Sequence, residues 1–367
     1  MSERSAPSSP RKRIAVIPGD GIGQEVIPEA VKVMKAAAAA GGKQIALTEF
    51  DWGADRYLRD GTTLPLDAVE MFHRDFDAIL LGAMGDPRVP SNIHAAEILL
   101  GLRFKLDLYV NARPCVLFDK RLTPLKDRTE KDVNFVVFRE NTEGLYVGVG
   151  GFFKKGTSDE IAMQEDINSR KGVERIIRYA FDFARRHGKK RLCMSDKSNA
   201  LTFGHDLWQR VYKGVRAEYP EIESSHQYID NLLMQIVRDP SQFDVIVTSN
   251  LLGDIASDLG AAIAGGLGLA PSANLHPGQV SLFEPVHGSA PGIAGKNIAN
   301  PMGSVLAAGM MFAYLGWTAE AQSLQDSVRA AIREGKTTAE LGGSLGTREL
   351  GDWLANTVSK SGATRSA

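Results

Sequence analysis

With 367 residues, 43% of them hydrophobic, and a net charge of −1, the chain is long enough for two domains with real cores. The charge balance gives no reason to expect nucleic acid or an acidic membrane as a partner, and no stretch nears the roughly eighteen apolar residues of a membrane-crossing helix. The opening MSERSAPSSPRKR reads as a frayed polar tail and not as a signal peptide. Cys115 and Cys193 make no disulfide framework and lack metal-ligand spacing. Each is expected as a small buried hydrophobe in a cytoplasmic protein.

In chain order, RIAVIP (13–18) reads as a buried strand and EVIPEAVKVMKAAAAA (25–40) as a helix stopped by Gly41-Gly42. QIALTEF (44–50) and FDAILLGA (76–83) are further strands. Apolar strands between helices point to a parallel sheet covered on both faces. VNFVVF (133–138), GLYVGVGG (144–151) and EIAMQEDI (160–167) pattern instead as antiparallel strands around glycine-rich turns. SRKGVERIIRYAFDFARRHG (169–188) is an amphipathic helix with Ser169 as N-cap, a cationic last turn and Gly188 as stop. KRLCMS (190–195), SSHQYI (224–229) and FDVIVTS (243–249) each read as a strand leading towards a helix. The last third, with LGAAIAGGLGLAP (259–271), GSVLAAGMMFAYLG (303–316) and EAQSLQDSVRAAIREG (320–335), reads as glycine- and alanine-rich helix and loop. Two α/β domains follow, the C-terminal part returning to the first.

Several segments carry chemistry. TSNLLGDIASDLG (248–260) sets Asp254 and Asp258 four apart, on one helix face and one turn apart. Like charges so placed repel by roughly a few tenths of a kcal/mol. An isolated pair of this kind is usually a solvated helix face, so a nearby cation must be argued from elsewhere. PGDGIGQEV (18–26) follows a strand and opens a helix, but the third glycine of a dinucleotide fingerprint falls at Gln24 and the acidic partner is missing. A glycine turn at a cleft floor fits better. Arg103, Arg113 and Arg139 sit at the ends of apolar elements, where guanidinium forks suit carboxylate or phosphate. Lys197, in SDKSNAL, becomes usable as a base when neighbouring cations lower its pKa, and Tyr146 follows Arg139 by seven residues. Asp230 follows SSHQYI directly and could join Asp254 and Asp258 as a third oxygen donor, a set suited to Mg²⁺ or Mn²⁺. His287 lies in EPVHGSAPGIAGKNIANP (284–301), too irregular for a core element and suited to presenting backbone amides to a ligand.

LRFKLDLYVNARP, RENTEGLY, DKSNAL, YIDN, NLLGDIASD and EPVHGSAPGIAGKNIANP, with GDGIG at the front, together resemble the β-decarboxylating dehydrogenases, the isocitrate/isopropylmalate dehydrogenase family. They stand in family order over nearly the whole chain. The resemblance implies a two-domain isocitrate/isopropylmalate dehydrogenase-like α/β fold, not a standard Rossmann fold. Residues 1–108 and 262–367 would form the cofactor-binding domain, and 109–261 the substrate, metal and dimerisation domain. It further implies that Arg103, Arg113 and Arg139 clamp the carboxylates of a small-molecule substrate, that Tyr146 and Lys197 transfer protons, and that Asp230, Asp254 and Asp258 surround the divalent metal. Asp230 would also touch substrate. Glu284, His287, Gly288, Ser289, Ala290, Gly292, Ile293 and Asn300 would contact the adenosine part of NAD. Members of the family are homodimers with shared active sites, so Lys197 and Asp230 would be given to the partner subunit.

The turn before Arg103 should face the group that varies among family substrates. Leu99 and Leu100 lie four and three residues before it, on a shared helical face. They suit an isopropyl group, whose burial is worth roughly 1.5–3 kcal/mol, whereas the extra carboxylate of isocitrate would lie desolvated there. The expected reaction is oxidation and decarboxylation of 3-isopropylmalate to 4-methyl-2-oxopentanoate with NAD reduction, a step of leucine biosynthesis. RENTEGLY resembles the isocitrate and tartrate branches more, and tartrate and malate enzymes also carry a leucine pair, so those acids and homoisocitrate are the alternatives. Gly292 stands where NAD-using relatives have an aspartate, which implies NAD with weakened discrimination. A non-catalytic regulatory subunit is disfavoured because Tyr146, Lys197 and all three aspartates are kept; a metal-free Rossmann oxidoreductase would be insensitive to chelator.

Overall fold

The computed structural model describes residues 11–365, so the polar tail read at the start of the sequence lies, through residue 10, outside the described residues. The chain forms two compact units. Among the described residues, one takes in everything up to Leu106, Leu267–Ala273 and everything from Pro277 on; the other comprises Asp107–Gly266 with Asn274–His276. The boundary expected at 261/262 would cut the helix Asn250–Ile263. A helix packs as one rod, and the division falls beyond it, at Gly266.

In the first unit, parallel strands lie in the order Ile45–Glu49, Lys12–Ile17, Ala78–Leu81 and Ser281–Pro285. Ile14 to Ile17 and Ala78 to Leu81 are buried throughout, as strands covered on both faces must be. The helix Gly23–Ala40 buries Val26, Ile27, Ala30, Val33, Met34 and Ala37, a stripe at helical spacing. That helix packs against Met302–Tyr314 and Thr347–Arg365. It ends at Gly41, and Gly42 follows at φ +63°, the left-handed exit glycine permits.

The second unit orders its strands Val110–Val116, Asn134–Glu140, Val245–Thr248, Arg191–Asp196 and Glu223–Tyr228. The first pair is antiparallel and the others parallel. Ser169 caps the helix Arg170–Arg186 by accepting from the Gly172 amide, and Arg185 and Arg186 close it. Cys115 and Cys193 are free and buried in this unit's core, and burial pushes their thiols up to about 12 and about 11.

Two expectations need correcting. GLYVGVGG is no single strand: Leu145–Val147 is a 3₁₀ turn closed by Gly148 at φ +72°, and only Gly150–Phe153 is extended. That strand pairs with Ile161–Gln164 as a separate two-stranded hairpin, while Asn134–Glu140 belongs to the main sheet. LGAAIAGGLGLAP, by contrast, is helix and then loop as read: Asn250–Ile263 ends within it, and Gly265 and Gly266 follow at positive φ. EPVHGSAPGIAGKNIANP is not irregular throughout: Glu284 and Pro285 close the buried strand Ser281–Pro285.

Candidate active site

The aspartate pair sits beside two arginines. Arg139 is in the strand Asn134–Glu140, in parallel register with Thr248, the last residue before Ser249 and the helix Asn250–Ile263. The first turns of that helix therefore cross the arginine. Gly253 makes the approach possible, since a Cβ there would stand 2.6 Å from Cβ of Arg139. Arg139 is 1% exposed. Its Nε donates to Oδ1 of Asn250 at 2.8 Å, its Nη1 to Oδ1 of Asp254, and its guanidinium carbon lies 4.9 Å from the Tyr146 ring centre.

Arg113 completes the group. Its Nη1 donates to Oγ of Ser257 at 2.9 Å and lies 3.1 Å from Asp254 and 3.4 Å from Asp258. Two cations thus face two carboxylates one helical turn apart, which removes the like-charge repulsion expected of them. Burial pushes the Asp258 carboxyl up; Arg113 opposes that and Asp254 adds to it. Tyr146 donates its hydroxyl to Oδ2 of Asp254 at 2.8 Å. Burial first, and then that hydrogen bond, raise its pKa, so the phenol stays protonated and able to give a proton.

Lys197 and Asp230 form a pair of their own in the same unit. Nζ of Lys197 donates to Oδ1 of Asp230 at 2.6 Å, which holds the Asp230 carboxyl below its ordinary range. The Lys197 turn is fixed by its amide donating to Nδ1 of His205 at 2.7 Å. Among the described residues no three histidine, cysteine or carboxylate side chains gather into a metal-holding group. The three aspartates expected around one cation are therefore not brought together within one chain; Asp254 and Asp258 are, and Asp230 sits with the lysine.

In the first unit, Arg103 is buried and donates through Nη2 to Oε1 of Glu284 at 2.8 Å. Glu284, expected as a cofactor contact, is thus engaged by the expected substrate clamp. Leu99 and Leu100 are half-buried at the end of a π-turn, Ala96–Leu100, and Arg103 follows in the α-turn Gly101–Lys105. The shared face derived from pure α-helical spacing is rotated by the wider turn. The 284–301 segment is held by backbone contacts. The amide of Ile22 donates to the Ser289 carbonyl at 2.8 Å. The amides of Gly295 and Asn297 donate to the Glu25 carboxylate at 2.6 and 3.0 Å. Gly288, Ala290, Gly292 and Ile293 are exposed along it. His287, whose pKa burial lowers, keeps a buried Nε2 without a partner, as does Nδ2 of the buried Asn300.

Residues 13–354 match the isocitrate/isopropylmalate dehydrogenase family. The chain belongs to that family. A 3-isopropylmalate dehydrogenase from Corynebacterium kroppenstedtii is 48% identical over 349 residues, covering 94% of this chain and 99% of the relative. One from Thermobifida fusca is 46% identical over 352 residues, covering 95% and 98%. Among solved structures, the isocitrate dehydrogenase from Methylococcus capsulatus superposes with a TM-score of 0.86 at 37% identity, covering 95% of this chain and 99% of that one. The chain is therefore an oxidoreductase of the isocitrate/isopropylmalate dehydrogenase family, with its two-unit α/β fold.

For a member of this family, the donor set of Asp254 and Asp258 fits a hard divalent cation, which takes one or two carboxylates and fills its other positions with water and substrate oxygens. The buried unpartnered atoms of His287 and Asn300 fit a polar cofactor at the 284–301 loop. Sequence reasoning did not single out Asn250, Ser257, Glu25 or Asp20. Asn250 stands first in the quoted NLLGDIASD and Asp20 between the glycines of GDG, so a search for buried polar residues inside those motifs was the available signal.

Proposed function

We propose that this enzyme oxidises and decarboxylates 3-isopropylmalate to 4-methyl-2-oxopentanoate with NAD as acceptor and Mg²⁺ or Mn²⁺ as cofactor, in leucine biosynthesis. The observation that carries the reading is the cluster of Arg113, Arg139, Asp254 and Asp258 beside a protonated Tyr146. Its two positive and two negative charges balance. A doubly charged anion and a doubly charged cation can enter it together without leaving any charge buried and unpaired, a cost of several kcal/mol otherwise.

In this reading Arg103, Arg113 and Arg139 grip the two carboxylates bidentately. Asp254 and Asp258 would hold the cation, with Asp230 from a second subunit. Held there, the cation would supply Lewis acidity to the substrate's oxygens, and bound NAD would supply the hydride acceptor for C2. Nζ of Lys197, which would come with Asp230 from that second subunit, takes the hydroxyl proton. Loss of CO₂ leaves its electron pair on C3, and the Tyr146 hydroxyl returns a proton there. His287, Ser289, Asn300 and the backbone around Ala290 and Gly292 would hold the cofactor's adenosine.

The substrate choice is supported by the names of the relatives and by Leu99 and Leu100 ahead of Arg103. An isocitrate carboxylate against two leucines would forfeit several kcal/mol of hydration. A homodimer is supported by the hairpin Gly150–Phe153 and Ile161–Gln164, where Phe152, Phe153, Ile161 and Met163 are all more than half exposed. A lone two-stranded hairpin is marginal in water, and a second copy of the chain would cover it. We also propose the cytoplasm, where the free thiols of Cys115 and Cys193 stay reduced; no helix among the described residues is long and apolar enough to cross a membrane.

The test is NAD reduction with isopropylmalate, isocitrate, tartrate and malate, repeated with NADP. Isopropylmalate should have the highest kcat/KM and NAD should lead NADP. A clear preference for isocitrate overturns the substrate.

A further inference from the structure

Asp20 lies between the two glycines of the first turn and is 5% exposed. Its Oδ1 accepts from the Ala54 amide at 2.7 Å. Its Oδ2 accepts from the Gly85 amide at 2.7 Å and meets Nε2 of His94 at 2.7 Å. His94 has no exposed surface. Its ring lies near-parallel to that of Tyr57, 6.1 Å between centres, and its Nδ1 is buried without a partner. An apolar side chain would fill this space without leaving an orphaned nitrogen; what the imidazole adds is the bond to Asp20.

The segment carrying His94 departs from ordinary helix twice before it reaches Arg103. Entry passes through Ser91 at φ +53° and Asn92 at φ +51°, conformations that non-glycine residues keep only where the surroundings fix them. After Ile93–Ala95 comes the π-turn Ala96–Leu100, a form common at functional positions. Such a stretch does not hold its own rotation. It is tied at one end by Asp20 and His94 and at the other by Arg103 and Glu284.

We infer that Asp20 and His94 are positioning residues that set the rotation of Leu99, Leu100 and Arg103, and with it the enzyme's choice among 2-hydroxy acids. The inference rests on the assignment of those three side chains to the substrate. Because one turn sets one face, loosening the tie moves the apolar contact and the arginine together. Acid recognition should suffer while cofactor binding does not.

The test compares His94→Leu, which fills the space without the bond, with His94→Gln, which returns a donor at similar reach. Kinetics are read with whichever of the four acids the parent prefers. His94→Leu should raise the KM for that acid about tenfold and narrow the selectivity between acids. The KM for NAD should stay within about twofold and the thermal midpoint should hold, while His94→Gln recovers most of the loss. Amide hydrogen exchange over residues 91–105 should quicken in the leucine variant and not in the glutamine variant. If His94→Leu does not fold, His94→Phe, which keeps the ring without the nitrogens, takes its place. Unchanged acid KM and selectivity in the leucine variant overturn the inference, as does a parallel rise in both KM values with a fallen midpoint. A parent that turns over none of the acids sinks the proposed reaction instead, and the exchange comparison alone then decides whether the tie exists.

Discussion

In the second unit the charges of Arg113, Arg139, Asp254 and Asp258 neutralise one another, and the Tyr146 proton is held by the same carboxylate that Arg139 grips. In the first unit the 284–301 loop is fixed through the Ser289 carbonyl and the Gly295 and Asn297 amides, and side-chain atoms of His287 and Asn300 are buried without partners. One region is prepared by charge, the other by shape. A charge-prepared site can exchange its internal ion pairs for ligand ions of equal total charge, so its failures should appear in the chemical step. A shape-prepared site has little charge to lose, so its failures should appear in cofactor KM.

The largest effect is expected at the charged region. Tyr146→Phe removes the proposed proton donor and leaves the arginines and carboxylates in place. It should lower kcat roughly 10²–10³-fold with little change in substrate KM; an equal loss carried by KM would place Tyr146 in binding instead. The shape region should respond to a backbone change. Gly21 sits at φ +52°, and a Cβ there would lie 2.1 Å from the Ser289 carbonyl oxygen. Gly21→Ala should therefore push the loop away, raising the KM for NAD about tenfold with kcat within about twofold. A variant whose kcat falls while the NAD KM holds would break the contrast.

Acid should act more gently, through His205. Burial lowers its pKa, against the opposing charges of Asp166 and Asp196, and its Nδ1 must be unprotonated to accept from the Lys197 amide. The unfolded state therefore binds the extra proton first. His205 contributes stability that is complete above the ordinary histidine value of about 6.5 and is lost as pH falls from there through the lowered folded value. The thermal midpoint should fall across that window, and His205→Asn should flatten part of the slope. A midpoint that rises as pH drops below neutrality would reverse the sign.

How much of this was legible beforehand follows from what a hydrophobic pattern records. The runs 14–17 and 245–247 inside the strands Lys12–Ile17 and Val245–Thr248 are apolar throughout and announce themselves. Pro271–Leu275 and Ser281–Pro285 are just as buried but place Ser272, Asn274, Ser281 and Glu284 inside, so the pattern reads as loop. The spacing of Asp254 and Asp258 fixed their shared face. That Arg139 would lie against them could not be read from spacing, because the two are 115 residues apart and meet through strand register. The same holds for Asp20 and His94, 74 residues apart. The π-turn before Arg103 has no sequence signature, so the leucine face was placed by α-helical spacing and is rotated from it.

The most direct measurement is Mn²⁺ binding by calorimetry in the presence of isopropylmalate, with NAD reduction followed on the same metal-stripped protein. The parent should bind the ion and be inactive until Mg²⁺ or Mn²⁺ is restored, and Asp254→Asn and Asp258→Asn should lose both binding and turnover. Stripped parent protein, or either variant without measurable ion binding, that reduces NAD at the full parent rate would contradict the assignment of these carboxylates.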